Sequence, residues 1–119
     1  MTKRLVLTAV ALMMLGTVSF ARPKANRTYT GEIMDSNCAK MGNHDAGYKL
    51  THTDTPKDCT LACVKAGAKF VLYSAPRKAT YELDDQDKAS DFAGQKVKVI
   101  GSYDKADKTI HVESIEAGS

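Results

Sequence analysis

Cysteine is the residue type with the most chemical capacity in this chain of 119 residues, and its three copies are grouped. Cys38, Cys59 and Cys63 fall in one stretch with Met41 and with His44 and His52, two of the three histidines. Thiolates and imidazoles are the donors of zinc, and thiolates with thioethers are the donors of copper(I). A metal site built from Cys38, His44, Cys59 and Cys63 therefore suits zinc or copper, with His52 as the alternative imidazole and Met41 as a thioether donor. The same thiols can instead close a disulfide. Cys59 and Cys63 stand four residues apart, so on a helix their Cβ atoms would be ~5–6 Å apart, wider than the ~3.5–4.5 Å that a disulfide needs. Cys38 is then the natural partner, bridged to Cys63 or Cys59. Such a bridge closes a loop of roughly 20–25 residues and contributes ~3 kcal/mol in the chain-entropy picture. A third chemistry, thiol redox exchange, needs a thiol of lowered pKa. Lys57 beside Cys59 favours it; Asp58, the C-x-x-x-C spacing and the lack of a βαβ pattern count against it.

The elements that must position these residues are mostly short strands. Thr28 to Asp35 is β-rich, Lys69 to Ser74 is a continuous apolar run of the kind buried on both faces, and Ala79 to Asp84 alternates with Tyr81 and Leu83 inward. Lys96 to Tyr103 and Thr109 to Glu116 alternate too, and Ile115 breaks the period as a bulge near Ser114 or a frayed end would. Two short helices fit between strands. The first, over 56–66, has Thr55 as N-cap, Pro56 at its first position, Asp58 as in a capping box and Gly67 as its stop. The second, over 85–93, is capped by Asp84, buries Ala89, Phe92 and Ala93, and ends at Gly94. Five strands with a helix between the third and fourth predict a mainly β fold, a small OB-like barrel. Its first-to-second connection, 36–68, is long enough to be a functional loop.

Residues 1–21 predict a cleaved secretory signal peptide: Lys3 and Arg4, an apolar run from Leu5 to Val18, then Ser19-Phe20-Ala21. The run is shorter than the roughly 20 apolar residues of a membrane span, so no stable anchor is expected after cleavage. The expected product is exported, periplasmic or extracellular, with a flexible basic tail over 22–27 and one β domain over 28–119. Of the 17 Lys and Arg, Lys3 and Arg4 leave with the leader, so 15 face 14 Asp and Glu. That balance offers no footprint for nucleic acid.

Three motifs spread over the mature chain carry a resemblance. They are Gly31-x-Ile33-x-Asp35-x-x-Cys38, Cys59-Thr60-x-x-Cys63-Val64-Lys65-x-Gly67-Ala68-x-Phe70-Val71-Leu72, and Phe92-Ala93-Gly94-x-x-Val97-x-Val99-x-Gly101. This pattern resembles a family of small exported bacterial proteins with no assigned activity, and the resemblance implies a signal peptide followed by one OB-like domain. The remaining polar residues read as ordinary structure. His111 lies on an outward strand face, Asp84, Asp85 and Asp87 serve helix capping, 104–108 forms a hairpin turn, and Tyr29, Tyr73, Tyr81 and Tyr103 pack at strand positions. No hydrolase triad, phosphate-cradling glycine loop or general acid–base pair is present. The sequence thus predicts an exported, non-enzymatic binding domain whose protein or small-molecule ligand it does not identify. Soft-metal binding and thiol redox are its alternatives.

Overall fold

The computed structural model describes residues 16–20, 22 and 24–118. The expected leader lies outside the described residues apart from 16–20. No helix among the described residues is long and apolar enough to cross a membrane.

Five strands form one sheet: β1 (Arg27–Asp35), β2 (Phe70–Ser74), β3 (Ala79–Leu83), β4 (Lys96–Asp104) and β5 (Thr109–Ala117). Their order is β1-β2-β3-β5-β4, and the sheet closes because β1 pairs antiparallel with both β2 and β4. The seam between β3 and β5 is short and parallel, Glu82 opposite Thr109 and Leu83 opposite Ile110. The disturbed period of β5 has a structural cause. Ile100 pairs with Ser114 while Gly101 pairs with Val112, which leaves Glu113 unpaired as a bulge.

Inside the closed sheet, Ile33, Leu72, Val97, Val99 and Ile110 are fully or almost fully buried, with Phe70, Leu83, Ala89 and Ala93. The rings of Tyr29, Tyr81 and Tyr103 pack on this core and on one another, with centroids 5.4–6.2 Å apart. Their strand positions are core-edge positions, as alternation predicts.

The connection from β1 to β2 is not an open loop carrying one helix. It holds three: α1 (Ser36–Met41), α2 (Asp45–Thr51) and α3 (Pro56–Lys65). The extra two escape a periodicity reading because six or seven residues give fewer than two turns of pattern. Together they cover the outer face of the sheet, where Met34 of β1 and Val71 of β2 join Cys38, Ala39 and Cys59 in a second, smaller core. This covering explains why β2 reads as apolar on both faces. The start of α3 follows its caps: Thr55 Oγ1 accepts from the Asp58 backbone N–H at 3.1 Å.

A fourth helix, α4 (Gln86–Ser90), lies between β3 and β4 and is shorter than the expected 85–93. Its N-cap is Asp85, whose side chain accepts from the Lys88 N–H, and not Asp84. Asp84 is diverted to β5, accepting from the Val112 N–H at 2.8 Å and facing His111 Nδ1 at 3.0 Å. His111 is accordingly a partner of Asp84 and not plain surface. In the segment expected to be a flexible tail, residues 24–26 form no regular element, yet Lys24 pairs with Asp104 at 3.1 Å and Asn26 bonds Glu113.

Candidate metal centre

Asp35, the last residue of β1, begins the site. Its backbone is still extended, and its side chain turns over the start of α1 as an N-cap. One carboxylate oxygen, Oδ1, accepts from the Asn37 and Cys38 N–H groups at 3.0 and 2.9 Å. The cap directs Cys38 inward from the first turn of α1, where it is buried. On α3, Cys59 and Cys63 stand one turn apart on one face, Cys59 fully buried and Cys63 half-buried. The three sulfurs and an Asp35 carboxylate oxygen all lie within 4.8 Å of one another.

Two further features fit this group to a cation. Asp35 is fully buried, its Oδ2 has no hydrogen-bond partner, and no ion pair among the described residues reaches it. A buried unpaired carboxylate oxygen is costly in an apolar setting, and a cation among the donors would remove that cost. The second feature is Gly47 of α2, which lies across the mouth of the cluster. A Cβ built there would stand 2.6 Å from Cys59 Sγ, 2.7 Å from Cys38 Sγ and 3.9 Å from Cys63 Sγ. Only a residue without a side chain lets α2 close over the sulfurs. A tetrahedral zinc shell with bonds of ~2.3 Å would place its sulfurs ~3.8 Å apart, within the 4.8 Å span of this group.

The electrostatics without a cation are those of a thiol site. Burial, and next the neighbouring Asp35 carboxylate, push the Cys38 thiol far above its ordinary range, and burial pushes Cys63 up to about 11. Raised thiols are weak nucleophiles at neutral pH, which counts against redox exchange at these two positions. A bound divalent cation reverses the balance, because it stabilises the deprotonated sulfurs directly.

The sequence-derived set of Cys38, Cys59, Cys63 and His44 is thus brought together only in its three sulfurs. His44 lies elsewhere: its Nε2 meets Glu32 Oε2 at 2.7 Å and its ring stacks on Tyr48 with centroids 5.6 Å apart. His52 is an exposed C-cap of α2, and Met41 is half-exposed at the end of α1. Asp35 takes the fourth place. The motif Gly-x-Ile-x-Asp-x-x-Cys contained the signal for it, because an acidic residue three before a cysteine at a strand end is also an N-cap candidate. The same sulfurs are the partners of the disulfide expected from Cys38 to Cys63 or Cys59.

A family described as a protein of unknown function, DUF5818, matches residues 64–118. That span takes in β2 to β5 and begins one residue after Cys63, so all four donor residues lie outside it. No curated protein matches the chain, and no solved structure matches it.

Proposed function

We propose that this chain is an exported, non-enzymatic binding domain that holds one thiophilic metal ion, zinc before copper(I), between its helices and its sheet. The ligands in this reading are Cys38, Cys59, Cys63 and Asp35. The observation that carries it is Asp35, fully buried, with a carboxylate oxygen within 4.8 Å of three sulfurs and with Oδ2 left without a hydrogen-bond partner. A carboxylate in the donor set favours zinc, whose protein ligands include oxygen, whereas copper(I) prefers sulfur alone. The absence of both loop histidines from the sulfur group and the exposure of Met41 weaken the copper reading further. The leader-like segment and the three sequence motifs support export, and the strand order with α4 between β3 and β4 supports an OB-like barrel.

Elemental analysis of the chain purified without chelator tests the reading, together with a count of alkylatable thiols after the metal is stripped. The expected result is one zinc per chain and three thiols. Metal-free protein that cannot be loaded, with a single free thiol, would replace the ion by a Cys38 disulfide. Asp35→Asn should retain three thiols and lose affinity for zinc by at least about 10–100-fold, the loss that removing even an outer-shell partner causes. Competition with a zinc chelator reads that loss.

A further inference from the structure

On the far side of Met34 from the closed sheet's interior lies a cavity of about 580 Å³, between the outer face of β1 and the loop joining α1 to α2. This volume falls within the range of small-molecule sites. The pleat of the sheet explains its lining. Alternate residues of β1 face outward, so Thr30, Glu32 and Met34 share a side, and Lys98 and Lys96 of β4 stand opposite Thr30 and Glu32. Tyr73 of β2 and Tyr48 of α2 supply the apolar walls. Tyr48 is held in place by its stack on His44, and His44 by the 2.7 Å contact with Glu32.

Four charged side chains line this cleft, Glu32 and Asp45 against Lys96 and Lys98, and they are not all paired within the chain. Glu32 is engaged by His44, while among the described residues neither Lys96 nor Lys98 takes part in an ion pair. The His44 ring is 8 % exposed, and its second nitrogen, Nδ1, is buried without a partner. Two aromatic walls, a thioether floor and two ammonium groups without an ion pair define one kind of occupant. We infer that the cleft binds a small organic anion with a ring-bearing apolar body, the rings packing on Tyr48 and Tyr73 and the acid group meeting Lys96 and Lys98. Tyrosine faces and methionine sulfur favour flat apolar groups, and ammonium groups give charge-assisted bonds to a carboxylate or sulfonate. This inference is independent of the metal reading, because none of the charged groups used here belongs to the sulfur cluster.

Fluorescence titration of the full mature chain with anilinonaphthalene sulfonate tests it, paired with the uncharged probe phenylnaphthylamine. Saturable binding of one sulfonate probe per chain is expected. Replacing both lysines, Lys96→Gln with Lys98→Gln, should weaken the sulfonate about tenfold and leave the uncharged probe within twofold. Both lysines are exposed strand residues, so the double variant should keep its near-ultraviolet circular dichroism. Sulfonate affinity that is unchanged in the double variant, or probe binding that never saturates, would overturn the inference whatever the metal content.

Discussion

Asp35 shows how one side chain serves structure and chemistry at once. Its Oδ1 caps α1, its Oδ2 is left over and buried, and its carboxylate stands among three sulfurs. An ordinary capping carboxylate is solvent-facing; this one is sealed in, and that is why its spare oxygen calls for a cation. Gly47 is the complementary residue, defined by what it lacks. In Gly47→Ala the new methyl would sit under 3 Å from two sulfurs. Overpacking of this kind costs typically 1–3 kcal/mol, and the methyl would also fill the place of the ion. The variant is expected to melt several degrees lower and to retain less than a tenth of the parent's zinc, read by thermal unfolding and elemental analysis. Cys59, Cys63 and Cys38 were legible as a group from spacing alone. Asp35 and Gly47 were not, because their roles arise from where β1 ends and how α2 crosses it.

The helices α1, α2 and α3, at 6, 7 and 10 residues, are too short to persist alone in water. They depend on the small outer core, in which Met34, Ala39 and Val71 supply modest apolar area and sulfur fills the rest. The α4 end of the sheet is held differently. Gln86 bonds the N–H and C=O of Phe70 and the C=O of Leu83, standing in for a neighbouring strand at the end of β2. Asp84 ties β3 to β5. Burial pushes its carboxyl up, but the Val112 N–H and the adjacent His111 outweigh that and hold it below the ordinary carboxylate value. A lowered native pKa contributes stability that is present above the unfolded pKa and lost as pH falls through the folded one. Asp84→Asn should therefore cost about 0.5 kcal/mol near neutral pH, a figure discounted for the group's exposure, and nothing at a pH below the lowered carboxyl pKa. Urea unfolding at the two pH values measures the difference.

At the scale of the molecule there are two cores of unequal strength. The interior of the closed sheet is mainly apolar, whereas the outer core is built around thiols and a carboxylate. If the proposed zinc is bound, stripping it with a chelator is expected to melt the helical layer and spare the sheet, since a bound ion's free energy is folding free energy for the part it holds. Far-ultraviolet circular dichroism should lose helical signal while hydrogen exchange still protects β4 and β5. Ile110 sits fully buried at the parallel β3–β5 seam, and Ile110→Ala should destabilise the whole chain by about 2–5 kcal/mol, visible as a shift of the main unfolding transition.

From its own sequence the protein determined what depends on local pattern. Alternation marked three of the strands and β-rich or continuous apolar runs the other two, Thr55 with Asp58 and Pro56 marked the start of α3, the broken period of β5 marked a bulge, and the crowding of Cys38, Cys59 and Cys63 marked the chemical centre. What tertiary structure decided are relations that no local pattern encodes. It left His44 with Glu32 instead of sulfur and turned Asp35 inward. It also folded 36–51 into two helices and opened a cleft beside Lys96 and Lys98. The reason is physical. Pattern records which side of an element is buried, but the partner across that face is set by the closure of the sheet, which brings β1, β2 and β4 together and gives the helices one place to dock.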